Sequence, residues 1–235
     1  MKYIIASDLH LSINHSKCEE FIEFIEKHKP DELILNGDII DGWALSRGSK
    51  WKKKHTKTVS KLLKLSEEIR IIWIRGNHDD FLEEFIGSTF GKIEIKENHI
   101  IELDKKRYFI FHGDIIDVFI TKYKWLSKLG SIGYDLALFL NDMYNRYRKW
   151  RGLTYYSISQ KIKERVKLAT NYVNDFETTA LGLAEVHNCD GVICGHIHQP
   201  AERMIGKKHY LNSGDWVENM TAIVIDKNKI KIKEY

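Results

Sequence analysis

Proline occurs only twice in this chain, so no proline-rich linker or stiff extended spacer separates parts of it. Cysteine is almost as scarce. Cys18, Cys189 and Cys194 are an odd set with no C-x-x-C pair, which excludes a disulfide framework and a thiolate zinc site and leaves three packed, reduced thiols as the expectation. No apolar run approaches the roughly eighteen residues of a membrane span. The opening Met1-Lys2-Tyr3-Ile4-Ile5-Ala6 runs into a strand rather than a signal sequence, and a cytoplasmic protein is expected. A strong charge of one sign is also missing: +4 with a pI near 8.7 demands neither a nucleic-acid nor a membrane partner. Repeats and low-complexity stretches are absent. With 43% hydrophobic and 30% charged residues, 235 residues fit one globular domain over 1–235.

What is present is a series of short apolar runs, Tyr3–Ala6, Leu33–Leu35, Arg70–Ile74, Tyr108–Phe111 and Gly191–Cys194, bounded by Gly, Asp or Asn. They read as buried strands. Helical patterns alternate with them, over Cys18–Lys29 with Pro30 as the stop and over Thr56–Glu68, so the order is α/β. From Asp117 to Val186 no strand pattern occurs, and the segment reads as a helical insertion. Within it Ile158, Ile162, Val166, Ala169 and Val173 predict one long helix over 157–186. The tail returns to strands at His209–Leu211, Ala222–Asp226 and Lys229–Lys233, expected to pair as a meander.

Each strand ends in a loop rich in Asp, His, Asn and Gly. Asp8 and His10 follow the first, Gly37-Asp38 the second, Gly76-Asn77-His78-Asp79 the third, His112-Gly113-Asp114 the fourth and Gly195-His196-Ile197-His198 the fifth. Ligands of open α/β sheets collect at the carboxyl ends of strands, so these loops are expected to meet in one crevice. Carboxylate, carboxamide and imidazole without thiolate suit borderline divalent cations, manganese first, with iron or zinc as alternatives, at a catalytic site. His15, His28, His55, His99, His187 and His209 are expected to be ordinary core or surface histidines.

The ordered set D-x-H, G-D, G-N-H-D, H-G-D and G-H-x-H resembles the calcineurin-like metallophosphoesterase family over most of the chain. The resemblance implies an α/β fold built as a four-layer double β-sandwich flanked by helices, carrying a helical cap insertion over 117–186. It implies two divalent cations, one on Asp8, His10 and His198 and the other on Asn77, His112 and His196, with Asp38 shared. It also implies hydrolysis of a phosphoester, with His78 stabilising the transition state or donating a proton and Asp79 orienting it.

The stretch Gly37-Asp38-Ile39-Ile40-Asp41-Gly42-Trp43 departs from the G-D-x-V-D-R-G of protein phosphatases. It is similar to the G-D-L-F-[DE]-x-W of UDP-2,3-diacylglucosamine diphosphatases of lipid A biosynthesis, and Gly214-Asp215-Trp216 matches their late Gly-x-Trp. Many of those enzymes carry Arg where His78 stands. The resemblance implies a nucleotide-lipid substrate, with Asp41, Trp43, Asp117, Ser157, Lys161 and Trp216 near it. In the insertion, Phe119, Ile120, Trp125, Leu126, Leu129, Leu136 and Leu138–Leu140 lie among Lys122, Lys124, Lys128, Arg146, Arg148, Lys149 and Arg151. Such a mixture suits either a peripheral contact with the cytoplasmic face of an anionic membrane or a self-packed subdomain with a solvated basic face. No nucleic-acid partner is expected and no protein partner is indicated. Two alternatives stay open: a phosphodiesterase or nuclease, and a non-catalytic scaffold with a vestigial metal site.

Overall fold

The computed structural model describes residues 1–117 and 175–235. The chain forms two compact units, Met1–Asp114 with Ala180–Tyr235, and Ile115–Thr179. In the second, residues 115–117 and 175–179 are helical. The rest of the expected insertion, with its apolar and basic residues, lies outside the described residues.

The first unit is built from two sheets. Strands β1 (Tyr3–Ala6), β2 (Glu32–Asn36) and β3 (Arg70–Ile74) run parallel at the centre of a seven-stranded sheet. β4 (Thr89–Phe90) and β5 (Ile93–Lys96) extend it on one side, and β11 (Thr221–Asp226) and β12 (Lys229–Glu234) on the other. The second sheet has five strands, β6 (Asn98–Leu103), β7 (Lys106–Phe111), β8 (Gly191–Cys194), β10 (Lys208–Asn212) and β9 (Ala201–Ile205), in that spatial order. Helices α1 (Cys18–His28) and α3 (Lys53–Glu68) follow β1 and precede β3, and α2 (Gly42–Ser46) is a short turn after β2.

Neighbouring residues of the central strands feed opposite cores, which is why their apolar runs are continuous rather than alternating. Ile4, Leu33 and Ile71 stand side by side and pack with Phe21, Phe24 and Leu62 of the helices. Their successors Ile5, Ile34 and Ile72 point the other way, onto Ile110, Ile193 and Leu211 of the second sheet. Phe109, between two residues of that inner core, stacks at 4.0 Å on His187, which follows helical residues 180–186. The layers are therefore helix, sheet, sheet, helix, the architecture the motif order implies.

Helix α1 ends where Lys29 takes a left-handed φ of 46° before Pro30. Helix α3 begins at Lys53, earlier than its apolar spacing predicts, because His55 Nδ1 accepts the Lys52 N–H at 3.2 Å and caps the first turn. The expected tail meander needs correction. β11 and β12 do pair, but β10 pairs with β8 and β9 in the other sheet. Adjacency in sequence cannot distinguish a hairpin from a crossing between stacked sheets. β4, β5, β6 and β9 carry too few buried apolar residues to register as runs; β9 is an edge strand exposed along Glu202–Ile205.

One pH response follows from β6. Burial, then the charges of Lys96 and Arg70, hold His99 down at about 4, although Glu94 opposes them. The unfolded chain takes up this proton near 6.5, the folded chain only near 4, so stability is full above 6.5 and falls as pH drops through that window. Allowing for the ring's partial solvent contact, the loss is on the order of 1–2 kcal/mol. His99→Gln is expected to flatten the fall in Tm between pH 6.5 and 4, measured by thermal melts, and an unchanged slope would assign the acid sensitivity elsewhere.

Candidate metal centre

Because β1, β2 and β3 are parallel neighbours, and β7 and β8 likewise, the loops after them open along one edge of the two stacked sheets. Hydrogen bonds stitch them together. Asp8 N–H donates to the Gly37 carbonyl at 3.0 Å, His10 N–H to the Asp38 carbonyl at 2.9 Å, and Gly195 N–H to the His112 carbonyl at 2.9 Å. The sheets are joined by Asn36 Nδ2, donating to the Phe111 carbonyl at 3.0 Å, and by His196 N–H, donating to Asp8 Oδ2 at 3.0 Å. Asp8, His10, Asp38, His196 and His198 all have positive φ, between 47° and 68°. Such backbone is tolerated by Asp and His better than by most residues, and it concentrates at functional sites.

Two glycines make room for these side chains. A Cβ on Gly76 would sit 2.2 Å from Asp38 Oδ1 and 2.5 Å from its backbone nitrogen, and one on Gly195 would sit 2.2 Å from Ser7 Oγ and 2.6 Å from Asp8 Oδ2. Gly76→Ala is therefore expected to destabilise the fold by about 1–3 kcal/mol and to lower bound metal after dialysis. Wild-type metal content in a normally folded variant would show that the Asp38 loop yields without cost.

Six of the seven expected ligands fall into two groups whose donor atoms lie within 4.8 Å of one another: Asp8, His10 and His198, and Asp38, His112 and His196. His198 Nε2 is 3.1 Å from Asp8 Oδ1, and His112 Nε2 is 3.2 Å from Asp38 Oδ2. Asp38 stands between the groups, since the same Oδ2 is 3.8 Å from His10 Nε2. The seventh, Asn77, keeps its side-chain oxygen buried.

A divalent cation fits this donor set. Among the described residues, Asp8 Oδ1, His10 Nε2, Asn77 Oδ1 and His112 Nε2 are buried without any hydrogen bond, an expense that buried polar atoms avoid unless something else satisfies them. Their tautomers are also set. His112 Nδ1 donates to the Asn36 carbonyl at 2.9 Å, and His10 Nδ1 donates to Asp41 Oδ2 at 3.2 Å, which leaves an Nε2 lone pair facing the carboxylates in each neutral ring. Electrostatics agree. Burial pushes the Asp8 and Asp38 carboxyls up, but the histidines around them win and hold both below the usual range. Burial pushes His112 down, yet Asp38 and then Asp8 raise it to about 10.

His78 sits beside these groups. Its Nδ1 is 3.0 Å from Asp41 Oδ1, its N–H donates to Asp38 Oδ1 at 2.8 Å, and its ring lies 4.4 Å from that of Trp43. Two expectations are corrected here. Asp79 does not orient His78: it is fully buried, and its carboxylate accepts the N–H groups of Gly76, Asp38 and Ile39 and the Trp73 indole, tying the third loop to the second. Burial, then the charge of Asp38, raises its pKa. Asp41, expected near the substrate, is the carboxylate that faces the His78 ring. It is buried, faces both His10 and His78, and caps α2 by accepting the Ala44 N–H at 2.6 Å.

A third correction concerns Trp216, which is not at the surface: it is fully buried and packs against Phe21 and Phe24 at 5.0 and 5.3 Å. Trp43 is 42% exposed at the rim. Asp117 falls in the second unit, and Ser157 and Lys161 lie outside the described residues. Asp215 and Asn219, absent from the sequence-based set, pack beside His198. The only sequence signal for them is the position of Asp215 beside Trp216.

Two stacked mixed sheets flanked by helices, with paired Asp/His groups at the strand ends, define an α/β protein with a candidate two-cation centre. The profile of the calcineurin-like phosphoesterases matches residues 1–200, and the chain belongs to that family. It is a metal-dependent phosphoester hydrolase. It is 23% identical over 244 residues to a UDP-2,3-diacylglucosamine hydrolase of Shewanella piezotolerans, covering 100% of this chain and 98% of that protein. A protein of the same name from Shewanella sp. MR-7 is 26% identical over 245 residues, covering 99% and 97%. Among solved structures, the Escherichia coli phosphoesterase Yfce superposes with a TM-score of 0.50 at 15% identity, covering 99% and 98%, and shares the fold.

Proposed function

We propose that this protein hydrolyses the phosphoanhydride of UDP-2,3-diacylglucosamine, giving UMP and 2,3-diacylglucosamine 1-phosphate, a step of lipid A biosynthesis at the cytoplasmic face of the inner membrane. The observation that carries this reading is the end-to-end match to relatives of that name. Asp8, His10, Asp38, Asn77, His112, His196 and His198 would hold two cations, manganese being the proposed metal. When bound, a pair of such cations makes water a usable nucleophile near neutral pH and neutralises phosphate oxygens.

The chain's own residues supply the rest. Asp41 Oδ1, 3.0 Å from His78 Nδ1, would hold the ring by its charge, which leaves Nε2 to stabilise charge or deliver a proton at the departing oxygen. Trp43, half-exposed over His78, offers an aromatic wall for the uridine or the sugar. The test compares UDP-2,3-diacylglucosamine with bis(4-nitrophenyl) phosphate in manganese. Binding energy from the remote nucleotide and acyl groups should raise kcat/KM for the lipid by about 10²-fold or more. Equal or faster turnover of the simple diester would favour the phosphodiesterase reading, which the histidine at position 78 supports.

A further inference from the structure

Each imidazole used as a metal ligand needs something behind it to hold the ring and fix its tautomer. Asp41 does this for His10 and the Asn36 carbonyl for His112. His198 has the weakest packing of the three, its side chain being 39% exposed against 7% for His10 and 0% for His112. Behind it lies Asp215, fully buried, with Oδ2 4.0 Å from His198 Nδ1.

Asp215 is itself locked. Its Oδ1 accepts the N–H groups of Val217, Glu218 and Asn219 at 2.7, 2.6 and 3.4 Å. The side-chain amide of Asn219 donates to Asp215 Oδ2 and also to the His198 carbonyl, at 2.9 Å. One amide thus ties the carboxylate to the backbone of the histidine it faces. The next residue, Trp216, donates its N–H to the Asp8 carbonyl at 3.0 Å, so the same turn also grips the carboxylate-bearing member of that group.

We propose that Asp215, held by Asn219, is the positioning residue for His198, and that it sets the affinity of the cation site formed by Asp8, His10 and His198 without acting on the one formed by Asp38, His112 and His196. At 4.0 Å the carboxylate acts on Nδ1 through its charge rather than a direct hydrogen bond, favouring the proton there and leaving the Nε2 lone pair toward Asp8. The inference rests on the two-metal reading of the site.

The test is a calorimetric titration of the metal-stripped, full-length protein with manganese, with bound ions counted by electron paramagnetic resonance. Wild type should take up two ions; fewer than two overturns the two-metal reading itself, whatever Asp215 does. Asp215→Asn keeps an oxygen for the turn but loses the charge facing His198. It should weaken one ion by about 10- to 100-fold and leave the other unmoved, while the metal-free Tm falls because the new amide nitrogen faces the Asn219 amide that donated to Oδ2. Unchanged affinities, or both ions weakened alike, would overturn the inference. In a His198→Gln background, Asp215→Asn should cost no further affinity, and an additive loss would show that it acts by another route. Should Asp215→Asn not fold, Asn219→Ala makes the same comparison, with selective weakening of one ion as the supporting result and none as the overturning one.

Discussion

Asp38→Asn is expected to lower turnover of any phosphoester by about 10³-fold or more and to reduce bound metal from two ions. Lewis-acid and charge-neutralising effects of a bound cation are worth several kcal/mol at the transition state, and each 1.36 kcal/mol is tenfold in rate. Asp38 is the residue whose loss touches both groups, since its Oδ2 lies 3.2 Å from His112 Nε2 and 3.8 Å from His10 Nε2. The asparagine keeps the shape, including the oxygen that accepts the His78 N–H at 2.8 Å, but places an amide hydrogen where a cation would sit. It also removes a charge that repels Asp8. The metal-free variant should therefore melt within about 3 °C of wild type, roughly 1 kcal/mol. Full activity with two ions bound would remove Asp38 from the centre of the site.

His78→Ala is expected to keep both ions and lose about 10² to 10⁴ in kcat, the usual scale for a positioned proton donor or charge stabiliser. The geometry makes metal retention a sharp part of this result. His78, Asp41 and His10 also form a group compact enough for a cation, so a metal-ligand role for His78 would show as lost metal. Both oxygens of Asp41 are already engaged, one by His10 and the other by His78 and the Ala44 N–H, which favours orientation of two imidazoles over coordination. Its carboxyl accordingly sits below the usual range: burial alone would raise it, and His10 and His78 outweigh burial. Metal analysis beside steady-state kinetics separates the two roles, and an unchanged kcat would exclude His78 from the chemistry.

Much of this site was legible before the fold. Five strands that carry it are apolar runs ending in Asp, His, Asn and Gly, and β1, β2, β3, β7 and β8 stand where those runs predict. The parts that were not legible share a cause. Asp79 follows His78 in the chain but turns its carboxylate to the backbone of Asp38 and Ile39, while Asp41, from another loop, reaches the ring. Trp43 and Trp216 both sit in motifs beside metal loops, yet one lies exposed over His78 and the other is buried between Phe21 and Phe24. His99 and His55 look alike as isolated histidines, yet one faces Lys96 and Arg70 and the other caps a helix.

The amino-acid sequence alone determined which side chains could hold cations and that they follow buried strands, because hydrophobic runs and turn residues act locally. Only the tertiary structure decided which carboxylate backs which imidazole. That pairing depends on loops with positive φ and on strands brought together from two sheets, and neither is encoded in the spacing between residues.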